Sequence, residues 1–291
     1  MKLQEQDIEN LAQLAEKAAL AAGQIIRQYI HQNVDHHLKD GLGSLAAKIV
    51  TEVDLLSQQI ILELLSESID TYDLGLLTEE SADNQSRLRK DYFWCIDPMD
   101  GTLYFQQQKP GYAVSIALVS QSGKPILGVI YDPYYDNLYQ AIDGQTIQLN
   151  HKALEINDKD NESLTIFCDN YYLQLPRYQE NFSKLTKAFN EMGYPNVTFD
   201  SCGGAVKNAL SVLENGPACY LKLPKEELGC GCVWDYAATS CFFNYAQQPI
   251  ADITGKTLDL NPKGSLYFNH CGVVFSTNQK IADCIYENLI V

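Results

Sequence analysis

Acidic side chains recur in four short stretches of this sequence: Thr51-Glu52-Val53-Asp54, Thr78-Glu79-Glu80-Ser81, Asp97-Pro98-Met99-Asp100-Gly101-Thr102 and Trp234-Asp235. Each is expected where a strand gives way to a turn. In the third, apolar Tyr92-Phe93-Trp94-Cys95-Ile96 leads straight into Asp97 and Asp100, which predicts two carboxylates emerging from a buried strand. Pro98 fixes φ and removes a donor, and Gly101 lets backbone approach a ligand closely. Clustered acids repel unless positive charge sits among them, and hard, oxygen-seeking Mg²⁺ is the natural occupant. Each stretch alone has a plainer reading. Thr51-x-x-Asp54 before an apolar run fits a capping box. Glu79-Glu80 fits a solvated pair, Asp97-Pro98 a turn starter, and Trp234-Asp235 a helix start with an acid in its first turn. Together, and in this order, they point to a metal site.

The elements that must position these acids follow from hydrophobic spacing. Residues 7–29 carry apolar side chains at helical intervals, and 52–69 repeat the pattern. Short apolar runs at 74–77, 92–96, 113–119, 126–131 and 137–142 are rich in β-branched and aromatic residues and predict strands of one sheet. The polar, turn-rich stretch 143–163 is the best boundary, dividing the chain into 1–150, with most of the candidate ligands, and 151–291, with Asp235. Beyond it strands at 164–168, 197–200 and 218–221 alternate with helices at 177–192 and 203–214. A helix at 234–245, a strand at 271–276 and a helix from Gln279 close the chain. The expected fold is α/β, a layered αβαβα arrangement in two parts.

The chain has 291 residues, a formal charge of −16 and 46% hydrophobic content, which suits a folded enzyme-sized protein and disfavours disorder. Its acidity argues against a nucleic-acid polymer or an anionic membrane as partner. A phosphorylated substrate stays open, because bound divalent cations reverse the local field. The first residues lack the apolar core of a signal peptide, and no run is long enough to span a membrane. Nine scattered cysteines, with Cys230-Gly-Cys232 the one close pair, fit reduced thiols better than a disulfide or zinc framework, and so a cytoplasmic setting.

Met99-Asp100-Gly101-Thr102-Leu103 resembles the D-x-D-G-T loop of phosphatases that form an aspartyl-phosphate. The nucleophile's position there, two residues before the second aspartate, is Pro98 in this chain, so a covalent aspartyl mechanism lacks its nucleophile.

The motifs match another pattern better. D-P-[ILM]-D-G-T at Asp97 to Thr102, E-E-S at Glu79 to Ser81, V-T-x-x-D at Val50 to Asp54 and W-D-x-A-A at Trp234 to Ala238 resemble the inositol monophosphatase superfamily, along essentially the whole chain. That resemblance implies Mg²⁺-dependent, lithium-inhibited phosphomonoester hydrolysis with two or three ions. It implies that Glu79, Asp97 and the Met99 carbonyl bind a first metal, that Asp97, Asp100 and Asp235 bind a second, and that Glu79 supports a third. Glu80 would support this shell. Asp54 and Thr102 would orient and deprotonate the attacking water, without a phosphoenzyme.

Within the superfamily, Asp200-Ser201-Cys202-Gly203-Gly204-Ala205-Val206-Lys207 and Tyr220-Leu221-Lys222-Leu223-Pro224 are similar to the D-S-x-x-K and Y-L-R-L-P segments of 3′(2′),5′-bisphosphate nucleotidases. This implies substrate contacts from Ser201, Gly203, Gly204, Lys207 and Lys222, besides Gly101, Thr102 and Asp235. Gly203-Gly204 opening a helix would offer N–H groups to a second phosphate, with Lys207 one turn along. The plainer reading is a helix entry followed by a surface lysine. Lys222 stands where arginine is usual, weakening bidentate binding. Leu103-Tyr104-Phe105 matches neither the nucleotidases nor the inositol enzymes, and the serine-to-lysine segment is two residues longer than usual. Tyr220, Tyr236 and Tyr245 could stack on a base, although core filling is the commoner role. The expected partner is a small anionic phosphorylated molecule, a bisphosphorylated nucleotide such as adenosine 3′,5′-bisphosphate ahead of an inositol or sugar monophosphate; a homodimer is open. A non-catalytic sensor is the rival from another class, opposed by the intact set of acids.

Overall fold

Two long helices open the chain, α1 (Glu5–His36) and α2 (Ser44–Thr71). In the computed structural model, which describes residues 2–36, 44–156, 162–229 and 231–289, Leu11, Ala15, Ala18, Ala22 and Ile26 of α1 are fully buried. Their spacing of three and four places them along one stripe, and each such leucine or isoleucine contributes about 1.5–3 kcal/mol by burial. Helix α2 starts at Ser44 rather than at residue 52. The run Leu45-Ala46-Ala47-Lys48 has high helix propensity, so the helix extends upstream of the apolar pattern. Thr51–Asp54 therefore lie inside a helix, neither at a strand end nor at a cap. The side chain of Val50, residue Cys230 and residues 157–161 lie outside the described set.

The first sheet has seven strands in chain order: β1 (Gly75–Thr78), β2 (Tyr92–Asp100), β3 (Ala113–Ser120), β4 (Pro125–Asp132), β5 (Asn137–Ile142), β6 (Gln148–Leu149) and β7 (Lys152–Ala153). β1 pairs parallel with β2, and the remaining pairs are antiparallel. The short helix α3 (Thr102–Gln106) follows β2. β6 and β7 fall in the stretch expected to be a boundary, where the turn-rich sequence hides two-residue strands.

The second sheet is built from β8 (Ser163–Phe167), β9 (Asn196–Asp200), β10 (Ala218–Lys222), β11 (Ile250–Ala251) and β12 (Val273–Ser276), in the order β11-β12-β10-β8-β9. Between these strands run α4 (Asn170–Gln174), α5 (Pro176–Glu191), α6 (Ala205–Glu214) and α7 (Val233–Ala246), and α8 (Gln279–Asn288) ends the fold. α1 and α2 cover one face of the first sheet. α6 and α7 fill the space between the sheets, where Phe93 and Ala117 share one core with Val206, Ala237 and Phe275. α5 and α8 cover the outer face of the second sheet. The layers read αβαβα. α7 is apolar almost all round, as a helix between two sheets must be. Among the described helices, none is long and apolar enough to cross a membrane.

Candidate active site

Strand β2 carries both central aspartates. Three residues apart on a regular strand, Asp97 and Asp100 would face opposite sides of the sheet. The β2–β3 register shifts between them, at Pro98-Met99, where proline cannot donate to the ladder. The break re-aims the side chains. Carboxylate oxygens of Asp97, Asp100 and, from the first turn of α7, Asp235 then lie within 4.8 Å of one another. Met99 is buried in the bulge, and its N–H donates to Asp97 Oδ1 at 3.0 Å. Asp235 Oδ2 accepts the Cys232 N–H at 3.0 Å, which fixes its carboxylate at the start of α7.

Glu79 follows the end of β1 and keeps contact with solvent. Burial, then Asp235 and Glu80, push its carboxyl up to about 7, against a hydrogen bond shared with Asp97. Asp97, wholly buried, is raised well above the usual range by burial and by Glu79, Asp100 and Asp235. Asp100 rises to about 8 through burial and Asp235, although two N–H groups and Lys222 pull the other way. Burial also raises Asp235. The carboxylates are therefore underneutralised. Their oxygens form the hard donor set that fits Mg²⁺.

Asp54 joins from the side. It is buried on α2 and pushed up to about 8 by burial, then by Glu80 and Glu79. One turn later Gln58 accepts from Thr78 Oγ1 at 2.5 Å and donates to Ser81 Oγ at 3.0 Å. Helix α2 is thereby pinned to both ends of the Glu79-Glu80 turn. Thr102 begins α3, which packs against α2. Among the described residues no hydrogen bond joins Asp54 to Thr102. Gly101 precedes Thr102 with φ 84°, and a Cβ there would lie 2.3 Å from the Gly111 carbonyl, so glycine is required.

The start of α6 differs from expectation. Ala205 and Val206 donate their N–H groups to Asp100 at 3.1 and 2.8 Å, and the Gly204 N–H goes to the Gly111 carbonyl at 2.8 Å. The first two donors hold a protein carboxylate and the third a backbone carbonyl, so none of the three stands free for a substrate anion. A Cβ on Gly204 would meet Asp100 at 2.3 Å, so its role here is close approach. Lys207 also turns away from the acids: its Nζ lies 2.7 Å from Asp132 Oδ2, with both side chains buried. Lys222 does reach the acidic cleft, where it pairs with Asp169 at 3.4 Å. A cavity of about 790 Å³ opens over Asp100, Gly101, Thr102, Gly203 and Lys222. Ser201 stands on its rim, bonded to Tyr104 Oη at 2.7 Å. A neighbouring cavity of about 590 Å³ reaches Lys207 and shares Tyr104, Lys109 and Ser201 with the first.

The inositol monophosphatase family model matches residues 7–289. The chain belongs to the inositol monophosphatase family. It is a phosphatase of that family, a phosphoric monoester hydrolase. It is 30% identical over 220 residues to the 3′(2′),5′-bisphosphate nucleotidase CysQ of Salmonella typhimurium, covering 74% of this chain and 81% of the relative. Inositol monophosphatase 3 of Solanum lycopersicum is 26% identical, covering 88% and 91% of the two chains. Among solved structures, inositol monophosphatase II of Staphylococcus aureus superposes with a TM-score of 0.74 at 22% identity, covering 96% and 95%. The αβαβα architecture is the fold of these proteins.

Several residues of this family member escape sequence reasoning. Asp169, the partner of Lys222, follows the apolar strand β8. The signal that singled out Asp97 could have found it. Gln58 sits inside a helix with no motif to mark it. Tyr220 and Tyr236 are fully buried in the core, and the Tyr245 hydroxyl donates to the Pro125 carbonyl at 3.1 Å, so these tyrosines take the plainer role. The eight described cysteines carry free thiols. Burial raises the Cys202 thiol beside the second cavity.

Proposed function

We propose that this phosphatase is Mg²⁺-dependent and removes the 3′-phosphate of a small bisphosphorylated nucleotide. The observation that carries the metal reading is the convergence of Asp97, Asp100 and Asp235 beside Glu79, with Lys222 the cation facing Asp100 and Asp235. Glu79, Asp97, the Met99 carbonyl, Asp100 and Asp235 would hold two or three ions. Bound, these supply positive charge to the phosphate and lower the pKa of water. Asp54 accepts the proton of the attacking water at its carboxylate, assisted by the Thr102 hydroxyl. Gly101, Ser201 and Lys222 orient the phosphate, and Glu80 supports the Glu79 turn. Lithium inhibition and a cytoplasmic setting belong to the same reading. So does a division into 1–150 and 151–291.

The nucleotide part rests on similarity to CysQ and on the D-S and Y-L-K-L-P segments. Structures of the Staphylococcus aureus relative hold 2′AMP in one case and inositol monophosphate in another. The second reading, an inositol or sugar monophosphatase, is favoured by the Lys207–Asp132 pair, in which Asp132 already offsets the charge that Lys207 would bring to a second phosphate.

Phosphate release at neutral pH, with Mg²⁺ and with chelator, decides between them. A kcat/KM for adenosine 3′,5′-bisphosphate more than tenfold above inositol 1-phosphate, about 1.4 kcal/mol of discrimination, is the expected result. The reverse preference keeps the metal chemistry and discards the nucleotide. No Mg²⁺-dependent release from either removes both readings.

A further inference from the structure

The buried pair Lys207–Asp132 lies at a junction between the sheet and the metal site. Lys207 follows directly on the two residues whose N–H groups hold Asp100. Its ammonium is 2.7 Å from Asp132 Oδ2 and sits over the Tyr139 ring, 5.5 Å from the centroid. Asp132 ends β4 and is itself fixed: its Oδ1 accepts the N–H groups of Tyr134 and Tyr135 at 2.9 and 3.2 Å. At the far end of α6, Glu214 accepts from the Tyr139 hydroxyl at 2.7 Å. The helix is thus tied at both ends to the β4–β5 hairpin. Only the Lys207 end adjoins the donors to Asp100.

We propose that Lys207, through its ion pair with Asp132, is a positioning residue that holds the first turn of α6 in place and so orients Asp100 for metal binding. This rests on the reading of Asp100 as a metal ligand. A helix start has no side chain of its own aimed at Asp100 here, so the direction of the two N–H groups depends on where the turn is anchored. A charge pair buried on both sides is an anchor, because either partner moving alone leaves an unpaired charge in the interior. Outer groups that orient a metal ligand typically change affinity or activity by about 10–100-fold when removed.

The test uses the full chain as Lys207→Met, Asp132→Asn and the double variant, which leaves no unpaired buried charge if a single variant fails to fold. In metal-free protein, hydrogen exchange of a peptide covering 203–208 should accelerate against one from the Glu214 end of α6. Unchanged exchange refutes the anchor without metal or substrate. Mg²⁺ titration calorimetry should then show affinity reduced about tenfold in the folded variants. In kinetics, the Mg²⁺ half-saturation concentration should rise equally for a monophosphate and a 3′,5′-bisphosphate. A rise in KM for the bisphosphate alone, with Mg²⁺ affinity intact, makes Lys207 a substrate ligand and overturns the proposal. A lower melting temperature with unchanged Mg²⁺ affinity makes it merely structural. Absence of Mg²⁺ binding in the wild-type protein is a different failure: it removes the metal reading of Asp100, and the proposal with it.

Discussion

The acidic cleft and the cavity beside it share Tyr104, Lys109 and Ser201 along one wall, yet their electrostatics are opposite. Under the second cavity Lys207 meets Asp132 one to one, over an aromatic ring. In the cleft, Asp97, Asp100, Asp235 and Glu79 crowd together, and among the described residues Lys222 is the cation that faces them, paired with Asp169. A paired charge in the interior reads as architecture. An unpaired crowd fits a cation site, because the fold alone has no reason to keep it. The same helix, α6, serves both: its first amides face the crowd, and its next residue joins the pair.

The sharpest way to break this contrast is to relieve the crowding at its centre. Asp97→Asn removes the charge that faces all three neighbours. Turnover with Mg²⁺ should fall by about a thousandfold or more, since a lost metal ligand removes several kcal/mol of transition-state stabilisation. The metal-free protein should nevertheless melt at a higher temperature at pH 8, because one repelling carboxylate is gone. Loss of both activity and metal-free stability would mean that Asp97 is held by the fold rather than by the ions.

A second test follows from proton binding. Without metal, Asp54 and Asp100 are pushed up to about 8 and Glu79 to about 7, while the same groups in an unfolded chain titrate near 4. The folded state therefore holds more protons across this interval, so its stability is highest at low pH and declines as pH rises toward 8. Each buried carboxylate contributes at most about 1.4 kcal/mol per pH unit to that decline. Thermal unfolding in chelator between pH 5.5 and 8.5 should show it, and Mg²⁺ should oppose it most at the alkaline end, because binding displaces protons. A flat metal-free profile would place the acids in a more neutralised setting.

How far sequence reached is clear from particular residues. Asp97, Asp100, Glu79 and Asp235 were legible because each stands at the edge of an apolar run in a recognisable motif. The longer strands and most helices are legible from spacing, whereas the two-residue strands β6, β7 and β11 are not. Asp54 is marked by its motif and falls inside the helix expected over 52–69, but that helix starts earlier: helical propensity upstream of residue 52 carries α2 back to Ser44, and a pattern built on apolar positions misses that. Lys207 was legible as a cation and illegible as a paired one, because Asp132 is 75 residues away in sequence and meets it only once β4 and α6 pack. At Gly204 the N–H expected to be free is taken by the Gly111 carbonyl, another partner distant in sequence. Asp100 comes from the other sheet to take the next two, Ala205 and Val206.

Gln58 is the smallest effect and the one that best separates architecture from chemistry within the cleft. It carries no charge and touches no proposed ligand, yet its amide bridges Thr78 and Ser81 on either side of Glu79-Glu80. Gln58→Ala removes two hydrogen bonds worth about 0.5–1.5 kcal/mol each and frees the turn that presents Glu79. Denaturant unfolding should show a loss of about 1–3 kcal/mol. Because the charges are untouched, the dependence of metal-free stability on pH should keep its slope, while kcat falls several-fold as Glu79 loses its fixed position. An unaltered kcat beside the stability loss would mean that Glu79 is oriented by its carboxylate neighbours and the ions rather than by the helix beneath it, placing Gln58 with the paired, architectural side of the molecule.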